Sequence, residues 1–335
     1  MKLKRTSIAI YVLLIFSSAA LVFSVQPIVG RILLPKLGGT TLVWNTCLVF
    51  FQATLLLGYL YADILSRKLP LKTQVPIHLG MLALAGLTLP ISFPDVSMPS
   101  DSLPAIWLLG QLALGVGFPF LVISASAPLF QSWFARTDLP SAENPYYLYA
   151  ASNLGSILSL VAYPFLIEPR LGVVQQSTAW AFGYAGVGLL IVVAGGLTWK
   201  LSEKTGLRAG FSRVGSTLVS YKQMLTWAYL AMIPSALLVA VSAQITADVA
   251  PVPFLWMLPL VVFLLTFVIA FARRQFIRPA WLVAIGIPAA IFLAYASAVR
   301  QIGVLRSIEF NVLVFFLLPC SSILRLRLGA RPSIS

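Results

Sequence analysis

Apolar residues run along this chain in long unbroken blocks, separated by short clusters of proline, glycine and charged residues. An α-helix needs about 20 consecutive, mostly apolar residues to cross roughly 30 Å of hydrocarbon. Ten segments approach that standard, near residues 7–26, 41–62, 74–93, 104–130, 146–167, 176–197, 224–245, 252–271, 280–299 and 308–324. The runs are continuous and not alternating, so they do not read as strands, and an open sheet cannot satisfy its backbone in lipid. The pattern predicts an all-α fold, a polytopic transmembrane bundle of about ten helices.

The longest polar stretch divides these helices six and four. The expected organisation is a six-helix membrane half over 1–198, a cytoplasmic loop over 199–223, a partial second half of about four helices over 224–324, and a basic tail over 325–335. Transporters of the major-facilitator type join two six-helix halves by such a loop, so the layout resembles one complete half followed by an unfinished one. No internal sequence repeat is visible. The start, Met1-Lys-Leu-Lys-Arg5 followed by an apolar run from Ser7 to Val25, has the look of a secretory signal. Its run is longer than the roughly 7–15 residues of a signal's apolar region, which predicts an uncleaved first helix.

Composition agrees with the pattern. Only 10% of the residues are charged and 59% are hydrophobic, where a soluble domain has about a quarter charged. The formal net charge of +14 raises the question of nucleic acid. The cations stand at helix ends and not on one basic face with interleaved aromatics, so nucleic acid is not an expected partner. Their distribution instead sets orientation, because short cytoplasmic loops are rich in Lys and Arg. With the N-terminus inside, all of the 23 basic residues except Arg31, Lys36, Arg170, Arg300 and Arg306 fall on the cytoplasmic side. Both termini are then cytoplasmic and the lipid bilayer is the first partner. Cys47 and Cys320 lie in apolar sequence and make no disulfide framework.

Some polar residues stand out against this background. The outer connection Gln26-Pro-Ile-Val-Gly-Arg31-Ile-Leu-Leu-Pro-Lys36-Leu-Gly-Gly39 is a candidate re-entrant or cavity-lining segment, with Arg31 and Lys36 meeting an anionic ligand or lipid. Its plain alternative is a turn whose cations snorkel to headgroups. In the fifth span Tyr149, Asn153 and Ser156 recur at helical spacing beside a small-residue seam of Ala151 and Gly155, which suits either a substrate contact or helix packing. An amide is costly against lipid, so Asn153 is expected to turn toward protein or a polar cavity. Asn45 and Gln52 of the second span are the expected opposite wall.

Glu168 and Asp248, at outer helix ends, are carboxylates suited to a small cationic metabolite or simply to solvent. A buried acid relay is not visible. The lone His78 cannot build a metal site or a histidine-based triad and is expected to pack near the inner edge of the third span. No phosphate-binding loop or dinucleotide turn is present. Catalytic residues, a metal and a cofactor are therefore not predicted.

Three stretches together carry a resemblance. They are Leu34-Pro-Lys-Leu-Gly-Gly39 with Val43-Trp-Asn-Thr-Cys-Leu-Val-Phe-Phe-Gln-Ala53, Tyr147-Leu-Tyr-Ala-Ala-Ser-Asn-Leu-Gly155 with Ala162-Tyr-Pro-Phe-Leu-Ile-Glu-Pro169, and Ile245-Thr-Ala-Asp-Val-Ala-Pro-Val-Pro253 with Leu255-Trp-Met-Leu-Pro259. The chain resembles the bacterial membrane proteins in which a polytopic domain is fused to a spermidine-synthase-like domain. The resemblance covers residues 26 to 275. It implies the bacterial cytoplasmic membrane, a link to polyamines or related metabolites, and a cytoplasmic synthase-like domain or chain as partner.

In that family Phe315-Phe316 leads into a Cys-His-Gly-Glu-like segment. Here Cys320 leads into Ser-Ser-Ile-Leu-Arg-Leu-Arg-Leu-Gly-Ala-Arg-Pro, so the expectation is a truncation or a shifted frame near residue 317. No aminopropyl-transfer residue can be carried over. The expected role is that of a transporter-like or anchoring membrane domain. A membrane-embedded enzyme and a scaffold for a separate synthase chain are the alternatives.

Overall fold

The computed structural model describes residues 2–37, 40–93, 103–137, 139, 146–204, 220–248, 253–270, 279–298 and 312–323. Every regular element among them is helical, and they fall into two compact units, Met1–Gly210 and Phe211–Ser335. Six helices are long and apolar enough to cross a membrane: Thr6–Leu33, Leu42–Lys68, Pro104–Phe134, Leu148–Ile167, Val173–Trp199 and Tyr221–Ser242. With shorter apolar helices at Leu258–Ile269, Ala280–Phe292 and Val312–Ile323, this is a helical membrane protein.

The described residues of the first unit form six rods. Helix α1 spans Lys2–Leu37, α2 Thr41–Lys68 and α3 Leu71–Gly86. The fourth rod is α4, Pro104–Leu112, joined through a π turn at Ala113–Gly117 to α5, Phe118–Phe134. The fifth is α6, Tyr146–Ala162, ending in a π turn at Tyr163–Ile167, and the sixth is α7, Val173–Lys204. Local chemistry sets several ends. Thr40 caps α2 by accepting from the Val43 amide at 3.4 Å, Arg67 and Lys68 close its last turn, and Pro70 and Pro104 sit where α3 and α4 begin. Cations at a helix C-terminus and proline at a helix start both suit the unpaired backbone groups found there.

Two expectations change. Residues 26–37, expected as an outer turn or re-entrant segment, continue α1 as helix through Pro27 and Pro35. Each proline removes one backbone bond, yet leaving the helix inside an apolar layer strands more polar groups than proline does. The third span, expected over 74–93, is helical only over Leu71–Gly86. At a rise of 1.5 Å per residue α3 is about 24 Å long and α1 about 54 Å.

Helix α1 is the hub. Tyr11, Leu14, Ile15, Ser18, Val25, Ile28 and Val29 are all buried, among α5, α6 and α7. Its neighbours come close where they carry glycine: a Cβ on Gly155 of α6 would overlap the Phe16 carbonyl, and one on Gly183 of α7 would press Leu21. The main packings pair the first rod with the fifth, the second with the fourth, the first with the sixth, the third with the fourth, the first with the fourth, and the third with the sixth. Exchanging rods one, two and three for four, five and six interchanges the first two of these packings and the next two, and leaves the last two unchanged.

The second unit contains α8, Tyr221–Asp248, α9, Pro253–Ala270, α10, Pro279–Ala298, and α11, Val312–Ile323. Leu238 and Val241 of α8 pack with Phe315 of α11, while Leu282 of α10 packs with Leu317, Cys320 and Ile323. Phe263 of α9 touches both clusters and joins them.

Candidate solute-binding groove

Among the described residues of the first unit, two polar regions border α2. The first is a closed network where α2, α3 and α5 meet. Gln74 accepts from the Trp133 indole at 2.8 Å and donates its amide hydrogens to the Leu69 carbonyl at 2.7 Å and the Ser66 carbonyl at 3.5 Å. Arg136 also donates to the Ser66 carbonyl, at 2.8 Å. These are carbonyls left over at the end of α2, which a helix C-terminus must pair somehow. His78, fully buried as its sequence context suggests, lies 3.1 Å from the Ser126 hydroxyl. Ser126 gives its own hydrogen to the Val122 carbonyl, which makes His78 Nε2 the donor and leaves Nδ1 to accept from Tyr61 at 3.5 Å. Among the described residues no three metal-ligating side chains converge.

The second region is open. α2 packs on α5 and α6 packs on α1, whereas α2 and α6 do not pack along each other, so a groove runs between them over the α1 and α5 surfaces. Asn45, Gln52 and Tyr59 recur every seventh residue on one stripe of α2, and all three are exposed. Tyr59 lies close enough to Tyr149 of α6 for the two phenols to interact electrostatically, so the stripe approaches α6 at this end. Asn153, one turn beyond Tyr149, is half-buried on the same flank. The Asn45, Gln52 and Asn153 side chains have no hydrogen-bond partner among the described residues.

Ser156 is not part of the open surface. It is buried, and its hydroxyl donates to the Ser152 carbonyl at 3.0 Å within α6. Its neighbour Gly155 forms the seam with α1.

Arg31 and Glu168, taken from sequence as contacts for opposite kinds of ligand, meet each other. Arg31 donates to the Glu168 carbonyl at 2.8 Å and lies 3.8 Å from its carboxylate. Beside them the Tyr163 hydroxyl is shared between Gln176 Oε1 at 2.9 Å and the Pro27 carbonyl at 3.3 Å. Lys36 lies in the last turn of α1 and Asp248 at the end of α8, and both side chains lie outside the described residues. Cys47 and Cys320 are buried free thiols.

Sequence reading missed Tyr59 in the groove, and Gln74, Ser126 and Trp133 in the network. For Tyr59 the signal was available, because it continues the Asn45 and Gln52 spacing. No family model matches the chain, and no match to it arises among curated proteins or solved structures.

Proposed function

We propose that this chain is a transporter-like membrane module of the bacterial cytoplasmic membrane, with both ends cytoplasmic, that binds a solute between its second and fifth spans. The observation that carries this reading is that α2 and α6, each with a polar stripe, approach at Tyr59 and Tyr149 without packing along each other. Polar side chains at membrane depth are unfavourable against hydrocarbon and mark water-filled paths or binding sites. The packing of the first unit supports the same reading, since exchange of rods one to three for four to six is the relation expected of the inverted repeats within half of a major-facilitator transporter. The resemblance to spermidine-synthase-like fusion proteins adds the partner: a cytoplasmic synthase-like domain or chain, to which the polyamine chemistry belongs.

The test is water access. Cys47 and Cys320 are replaced by serine, and single cysteines are placed at Gln52, Asn153, Leu57 and Leu158 in turn. Intact membranes are then treated with a water-soluble maleimide. Cysteines at 52 and 153 are expected to react, and those at 57 and 158, on exposed apolar positions of the same helices, to stay unlabelled. Equal silence at all four positions discards the groove as a solute path. A cysteine at 97 labelled only from outside and one at 210 labelled only from inside check the orientation, and labelling of both from one side overturns it.

A further inference from the structure

The groove's side chains carry a chemical preference that deepens the reading above and rests on it. Asn45, Gln52, Asn153, Tyr59 and Tyr149 are side chains that can both donate and accept, and none bears a charge at neutral pH. The two described carboxylates nearest the ends of the groove's helices are already engaged. Asp63 accepts from Arg67 Nε at 2.6 Å, and Glu168 stands 3.8 Å from Arg31.

A polyamine brought between these helices would give up its water and find no unpaired carboxylate among the described residues. An anion would find amide N–H and hydroxyl groups but, among the described residues, no cation in the span of the groove, because Arg31 faces Glu168 at one end and Arg67 faces Asp63 at the other. Charge taken out of water without a counter-charge is strongly unfavourable, whereas neutral groups need only hydrogen bonds in exchange for those lost. Side-chain amides suit this exchange, since each presents an acceptor and donors together and pairs with a solute that does the same.

We infer that the groove binds an uncharged solute with adjacent hydrogen-bond donors and acceptors, of the nucleobase or polyol kind, and discriminates against both polyamines and organic anions.

Three pools of solute are screened for thermal stabilisation of the purified full chain in detergent. One is neutral (uracil, adenine, inositol, glucose), one cationic (putrescine, spermidine, agmatine) and one anionic (succinate, glutarate, phosphate). The expected result is a stabilising neutral solute whose effect is lost in both Gln52→Leu and Asn153→Leu, while the unliganded melting temperature of each variant stays near the parent's. Stabilisation by a cationic or anionic pool that depends on the same two residues overturns the neutral preference and leaves the groove a solute site. Stabilisation by no pool, or stabilisation indifferent to both substitutions, overturns the solute-binding reading itself and the preference with it. The retained melting temperature separates a lost site from a misfolded chain. If either variant melts well below the parent, Gln52→Asn or Asn153→Gln, which keep an amide, must restore both stability and binding, and failure to restore binding counts against the inference.

Discussion

The closed network and the open groove hold similar side chains in opposite circumstances. In the network, both ends of the Gln74 amide are bound and Trp133, Arg136, His78 and Ser126 each have a defined partner. Across the unit, Asn45, Gln52 and Asn153 carry the same amide group with no partner among the described residues. A membrane interior supplies no water to a polar group, so burial with full pairing is a structural solution and exposure without pairing calls for something from outside. The contrast shows that polarity inside a span does not mark function by itself, since the network's polar groups are spent on packing.

The comparison is sharpened first by a substitution outside both regions. Gly155→Leu drives a side chain into the Phe16 carbonyl, where overpacking costs about 1–3 kcal/mol or more. The expected result is the largest loss of the series, with the purified chain failing to run as a single species on size exclusion. Normal behaviour there would show that α6 moves freely on α1, and the groove would lose its fixed wall.

Gln74→Leu comes next. It strands the buried Trp133 indole and removes a donor from the end of α2, and an orphaned buried partner costs about 1–3 kcal/mol. A clear drop in melting temperature in detergent is expected, with labelling at positions 52 and 153 unchanged. If stability is unaffected, the network is not the structural element its satisfied geometry makes it.

The same change in the groove should do the least. Asn153→Leu removes no internal hydrogen bond, and a substitution away from special features stays within about 0.5 kcal/mol. Its melting temperature is expected to match the parent's in the absence of solute. A drop as large as that of Gln74→Leu would erase the distinction between the two regions and return Asn153 to helix packing.

Much of the architecture was legible from local pattern. Eight of the ten blocks read from sequence, all but the first and third, correspond to described helices with ends shifted by seven residues or fewer, because continuous apolar length is a property of neighbouring positions. The third block lost its last turns, and α1 ran on through Pro27 and Pro35 because solvent, not propensity alone, sets the penalty for proline. Asn45, Gln52, Tyr149 and Asn153 were visible for the same local reason, as amides and phenols on an apolar background. What could not be read is whatever depends on distant pairing. Arg31 finds Glu168 across 137 positions, and Trp133 finds Gln74 across 59. The exchange relation among the six rods is equally silent in sequence, since it lives in which helices touch and leaves no repeated motif.

The central place of α1 has a consequence for how the chain is made. This helix leaves the ribosome ahead of α5, α6 and α7, the helices that come to enclose it. Its Tyr11 hydroxyl bonds to Thr198, 187 positions later, and at a synthesis rate of 5–20 residues per second that partner arrives roughly 10–40 s afterwards. Through that interval a phenol and the hydroxyls of Ser7 and Ser18, all buried in the finished unit, have no completed core to enter. The newborn helix must be sheltered by the insertion machinery or remain at its edge until α7 closes over it, and slowing synthesis between α6 and α7 is expected to expose α1 to membrane proteases.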